Sequence, residues 1–181
     1  METQEQRESK KTSGIKSLNP FNVCLVVTLF MIVGVFIGLG TKNPLWVLIF
    51  ILPAVIYEVI RTEPGASTKF SSILLLIVII LELFLILFGV NYDLAKFFET
   101  DEKYVAGYSL PLGDIKVFGP LLTAVLSTVL IFRTYGPYTK WLSVIIAIGS
   151  LVAVYLISPT FFTQALKLIV NGLFDRLYYA F

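Results

Sequence analysis

Histidine is absent from this 181-residue chain, and cysteine occurs once, at Cys24. Those two facts exclude His-ligated metal sites, His general bases and any intramolecular disulfide. Charge is scarce as well: 14% of residues are charged against 57% hydrophobic, and the mean hydropathy is +0.86. Such a balance is too apolar for a soluble core of this size. The net charge is only +2 and the basic residues are scattered among loops, with no stripe that could track nucleic acid. No P-loop, Gly-x-Ser-x-Gly or His-Glu-x-x-His pattern occurs, so no cofactor or metal is expected.

What the chain does have is long apolar runs. Spanning a bilayer takes about 20 apolar residues at a helical rise of about 1.5 Å each. Five segments qualify: 21–40, 44–60, 70–90, 117–134 and 141–158. The expected fold is therefore all-α, a polytopic integral membrane helical bundle in the cell membrane. Residues 1–20 are polar and charged and read as a disordered cytoplasmic tail. The run 21–40 is longer than a signal-peptide core and no small-x-small cleavage site follows it, so it reads as a retained first span. Cys24, at the start of that run, reads as a small apolar residue facing lipid or a neighbouring helix.

Thr41-Lys42-Asn43 and Gly136-Pro137-Tyr138 are turn chemistry, whereas 91–116 is a genuine extramembrane loop. Lys and Arg near the span ends set the orientation. Arg7, Lys10, Lys11, Lys16, Arg61, Lys69, Arg133 and Lys140 fall on one side, and Lys42, Lys96, Lys103, Lys116, Lys167 and Arg176 on the other. The richer side is taken as cytoplasmic, which puts the N-terminus inside and the 91–116 loop outside. Residues 159–181 carry Gln164, Lys167, Asn171 and Asp175 at spacings of three and four among apolar residues, the pattern of an amphipathic interfacial helix. Ser158-Pro159 supplies its cap and first-turn proline.

In the loop, Asp93 is expected to cap a short helix. Tyr104–Leu110 and Ile115–Phe118 are expected to pair as a hairpin about the turn Pro111-Leu112-Gly113-Asp114. Gly113-Asp114, with Tyr92-Asp93 upstream, resembles the motifs of the intramembrane aspartyl proteases, and Leu112-Gly113-Asp114-Ile115-Lys116 is similar to the prepilin-peptidase version. The resemblance implies two carboxyls sharing a proton. This chain departs from it at Pro111, which replaces the first glycine of the motif. Asp93 and Asp114 also flank one surface loop instead of facing each other from two helices. A turn Asp and a helix-cap Asp account for both, and the chain is not expected to be an enzyme.

Glu82 is the one charge set deep inside a span. An acidic residue near mid-bilayer costs roughly 2.5–3.5 kcal/mol, while each surrounding Leu, Ile, Phe or Val returns about 0.3–0.6 kcal/mol. The helix still inserts, but the carboxyl needs partners. Val78, Ile79, Leu85 and Ile86, its neighbours at three and four residues, are all apolar, so partners must come from other spans. Depth matching puts Gly34, Pro53, Thr123, Ser127 and Ser150 at the same level. Pro53 frees the carbonyl of Ile49, a potential acceptor for a protonated Glu82. Glu82 is then either a proton or cation site, or a neutral carboxyl that glues helices together. Glu58, three residues before Arg61, reads as half of an interfacial ion pair. Gly34 and Gly38 form a small-xxx-small pair for close helix packing, within the chain or between copies.

The expected role is a non-catalytic accessory or scaffold component of a membrane assembly. Its partners are then the lipid bilayer and a homo-oligomer or larger complex. The alternative is a small proton- or cation-coupled transporter or channel using Glu82.

Overall fold

The computed structural model describes residues 19–62, 65–90, 102–105, 108–111 and 115–178. Within them run six α-helices: α1 (Pro20–Thr41), α2 (Pro44–Arg61), α3 (Ala66–Leu87), α4 (Phe118–Arg133), α5 (Pro137–Ile157) and α6 (Pro159–Tyr178). The first five, α4 together with a 3-10 turn at Ile115–Val117, are long and apolar enough to cross a membrane. The protein is a multi-pass helical membrane protein, as its composition demands. The tail, Asp93 and Asp114 lie outside the described residues.

Local chemistry sets the helix ends. Asn19 and Asn43 each precede a proline at the first helical position, and their side chains accept from Phe21 N at 3.2 Å and Leu45 N at 3.0 Å. Each pair supplies a cap and a pre-set φ at once. Between α1 and α2, Lys42 adopts a left-handed conformation and Asn43 N reaches back to Gly38 O, so the chain reverses in a tight turn.

Helix α3 begins four residues earlier than the apolar run suggested. Its polar first turns are satisfied locally: Thr68 Oγ1 donates to Gly65 O and Ser72 Oγ to Lys69 O. The same helix stops at Leu87 because Gly89 takes a positive φ and Val90 N turns back to Leu85 O. Helix α5 also starts early, at Pro137, where proline initiates the helix instead of merely ending a turn.

The hairpin differs from expectation as well. Strands β1 (Glu102–Val105) and β2 (Tyr108–Pro111) pair antiparallel with Val105 opposite Tyr108. The pairing therefore falls largely within the stretch expected to be a single strand, and Ile115–Val117 goes into the 3-10 entry to α4 instead of a strand.

Helices α2, α3, α4 and α5 form a ring in which each packs on two neighbours, the α4–α5 contact being the most extensive. Helix α1 lies in the groove between α2 and α5. At that junction Gly149 of α5 admits Met31 of α1 and Ile51 of α2; an added Cβ would come within 2.5 Å of Met31 Cε and 2.7 Å of Ile51 Cδ1. The ring is filled by Leu48, Ile51, Leu75, Ile79, Leu130, Leu142 and Ile146, all buried. The outer surface is apolar too, with Phe30, Phe36, Phe70, Phe84 and Phe132 exposed, the inverse of a water-soluble bundle. Helix α6 packs mainly on the end of α5 and on β2, and leaves Leu166, Ile169, Val170 and Phe174 uncovered.

Candidate functional site

Hydroxyls inside this bundle follow one habit: they bond back to the carbonyl one turn earlier on their own helix. Thr28 donates to Cys24 O, Thr128 to Ala124 O, Thr134 to Leu130 O and Ser150 to Ile146 O, at 2.6–2.8 Å. In a medium without water this is the nearest acceptor available. Thr123 and Ser127 break the habit. Both are buried on α4, and neither hydroxyl has a hydrogen-bond partner among the described residues.

Glu82 lies on the facing helix, beyond them along the seam and level with Gly119. Helix α3 packs on α4, and the Glu82 side chain fills the space that Gly119 leaves open: a Cβ on Gly119 would lie 2.8 Å from Glu82 Oε2 and 3.1 Å from Glu82 Cβ. The carboxyl is 1% exposed, and neither oxygen has a partner among the described residues. Gly119, Thr123 and Ser127 are spaced by four, so they form one stripe along α4. The site is therefore one carboxyl and two hydroxyls with unsatisfied hydrogen-bonding capacity in the α3–α4 seam. Buried polar groups are nearly always paired, so an unpaired cluster calls for an explanation.

Several sequence expectations are corrected here. The hydrogen bonds foreseen between Glu82 and its depth-matched neighbours are not formed. The true ends of α3 move Glu82 to about 24 Å from the Ala66 end and about 7 Å from the Leu87 end, instead of about 18 and 12 Å. That shift brings it level with Gly119, one turn beyond Thr123. Ser150 is engaged within α5. Pro53 is about 13 Å from its own end of the ring, some way deeper than Glu82, and Ile49, whose carbonyl it frees, lies on the exposed side of α2.

Gly34 and Gly38 do not meet Glu82 either. An added Cβ at Gly34 would overlap Phe50, and at Gly38 it would overlap Val47, so both serve the α1–α2 contact inside the chain. The small-residue pair is thereby used up and offers no bare face to a second copy.

Glu58 is the functional candidate that sequence reasoning undervalued. It is 0% exposed, and it accepts a 2.9 Å hydrogen bond from Ser143 Oγ of α5 at Oε1. Its Oε2 has no partner among the described residues, so the Arg61 pair is not what holds it. The three-residue spacing to Arg61 offered a sufficient reason for Glu58 to be charged at a helix end. Only the fold shows that the side chain turns inward. No group of three or more His, Cys, Asp or Glu side chains converges among the described residues. No protein-family model, curated protein or solved structure matches this chain.

Proposed function

We propose that this protein binds and moves protons or small monovalent cations across the bilayer, with Glu82 as the binding carboxyl. The observation that carries the reading is the Glu82 carboxyl in the seam it shares with the Thr123 and Ser127 hydroxyls, all three without a hydrogen-bond partner among the described residues. A group that served only as helix glue would be bonded to the helix it glues, since the worth of such a group lies in the bond. Intramembrane carboxyls that face a bundle interior mark ion and proton pathways. A single carboxyl, with Thr123 and Ser127 about 9 and 15 Å from it along the axis, suits a proton or a monovalent cation better than a divalent one, which asks for six or more oxygens and usually several carboxylates. The test is reconstitution into liposomes with an entrapped pH dye and imposed proton, sodium or potassium gradients. Wild-type flux that disappears in Glu82→Gln supports the reading. Wild-type vesicles as tight as empty ones under all three gradients overturn it.

A second reading is the accessory or scaffold role, and one observation favours it: the apolar residues Leu166, Ile169, Val170 and Phe174 that α6 leaves uncovered by the rest of the chain. A lipid surface or a larger membrane protein would cover them. On this reading a stoichiometric neighbour co-purifies in mild detergent, and it does so equally well with Glu82→Gln.

A further inference from the structure

The proton reading leaves one buried acid unused. Glu58 and Glu82 stand at opposite ends of the α2–α5 ring. Measured along the helices from the end that carries Arg61 and Arg133, Glu58 is about 4 Å deep and Glu82 about 24 Å. Between them lies an apolar layer: Ile51, Leu75, Ile79 and Ile146, at about 13–20 Å on the same scale, are all buried. Of the two α4 hydroxyls, Thr123 at about 15 Å lies within this layer and Ser127 at about 9 Å lies between it and the Arg61 end. Ser143, which donates to Glu58, is at about 9 Å on α5, level with Ser127 on the helix that α5 contacts most.

We propose that Glu58 is a second proton-binding carboxyl, an end site at the Arg61 face, joined to Glu82 across the apolar layer by the hydroxyls of Ser143, Ser127 and Thr123. The inference rests on the proton reading of Glu82 and extends it to a path with two ends. Each transfer exchanges one O–H bond for another. A hydroxyl accepts a proton on its oxygen and releases its own to the next acceptor, and the carboxyl that gave the proton is recharged from the water at its end. No oxidant or further reactant enters. Ser143 is bonded directly to Glu58 and stands level with Ser127. From Ser127 to Thr123 and from Thr123 to Glu82 the steps along the axis are about 6 and 9 Å, too far for direct transfer and short enough for one or two bridging waters. The charged and titratable groups around Glu58 are Cys24 from α1, whose thiol lies within electrostatic range of both Glu58 and Arg61, and Tyr57 and Arg61 from α2. At the same end Lys69 Nζ of α3 is bound to Val59 O, with Arg133 on α4 and Lys140 on α5. Arg61, Lys69, Arg133 and Lys140 give this end of the ring a basic rim.

The experiment compares wild type, Glu58→Gln, Glu82→Gln, Ser143→Ala and Thr123→Val in the same liposome flux assay, each variant first shown to be helical and monodisperse. Infrared difference spectra across a pH step add a readout of carboxyl protonation that needs no transport. Glu58→Gln is expected to lower flux about 100-fold, as loss of a positioned proton-transfer group does. It should also delete a carboxyl band distinct from the one deleted by Glu82→Gln. Ser143→Ala, which leaves the acid in place, should shift the Glu58 band and slow flux, a change that a merely structural serine would not produce. Full flux in Glu58→Gln, or a Glu58 band that never responds to pH, overturns the end site while leaving Glu82 standing. An absence of flux in wild type removes both.

Discussion

At the scale of single residues, the decisive property of Glu82 is that no hydrogen-bonding group among the described residues answers it. Replacing an unpaired buried polar group by an apolar one of similar shape is neutral or stabilising, whereas replacing a bonded one is costly. Glu82→Met should therefore raise stability by about 1–3 kcal/mol while abolishing flux. Equilibrium unfolding in mixed micelles measures the first effect and the liposome assay the second. A Met variant that is less stable than wild type would mean that Glu82 has partners after all. Gly119→Ala tests the same seam from the other side. Its methyl would displace the Glu82 carboxyl, so activity should fall with Glu82 still present.

That Glu82 is a buried acid was legible in the sequence because one acid in an apolar run cannot be overlooked, but its depth was not, since its helix does not begin and end with that run. Its neighbour Gly119 was not, since a glycine contributes by lacking a side chain and leaves no polar signal to match. Glu58 was obscured in the opposite way. Arg61 stood close enough in sequence to explain it, and Ser143, its real partner, is 85 residues away.

At the scale of helices, the glycines separate into filled and open positions. Gly34→Ala should cost about 1–3 kcal/mol, because the new methyl overlaps Phe50 across the α1–α2 contact, and trimming the obstacle with Phe50→Ala should recover part of the loss. Gly40, at the end of the same helix, has nothing within 4 Å of an added Cβ. Gly40→Ala should be neutral or stabilising by up to about 1 kcal/mol, through helix propensity alone. Thermal or denaturant unfolding of the pair in detergent checks both signs at once.

Helix existence was readable here because five apolar runs of sufficient length admit no other structure in a bilayer. Helix ends were readable where Asn-Pro marks a start and obscure where hydroxyls carry the helix past its apolar run, as at Thr68 and Ser72. The sequence points to a hairpin about the turn Pro111-Leu112-Gly113-Asp114, whereas the strands that pair are Glu102–Val105 and Tyr108–Pro111. Ile115–Val117 enters α4 instead.

At the scale of the whole molecule, the count of Lys and Arg predicts that Lys42 and Arg61 face opposite compartments. In a Cys24→Ser background, Lys42→Cys and Arg61→Cys should label with a membrane-impermeant maleimide from opposite sides of intact cells. Labelling of both from one side would refute the five-span count. A spin label at Leu166 should report the interfacial depth of a surface helix, about 5–10 Å into the headgroup boundary and not the bilayer centre. A label at mid-bilayer depth would make α6 a sixth span.

The position of α1 also bears on how the protein is made. During synthesis the N-terminal spans emerge first, and α1 inserts while the helix that forms one wall of its groove is still untranslated. Cys24, Met31 and Gly34 are covered only once α2 and α5 flank α1, and α5 is the last of the five spans to leave the ribosome. Until then α1 and α2 must wait side by side in lipid, held by their own contact, in which Gly34 meets Phe50, Gly38 meets Val47 and Phe30 stacks on Phe50. Chain arrest or truncation before Pro137 should thus leave a half-built bundle for the membrane's quality-control proteases, and the completion of α5 is the step at which this protein acquires a lifetime.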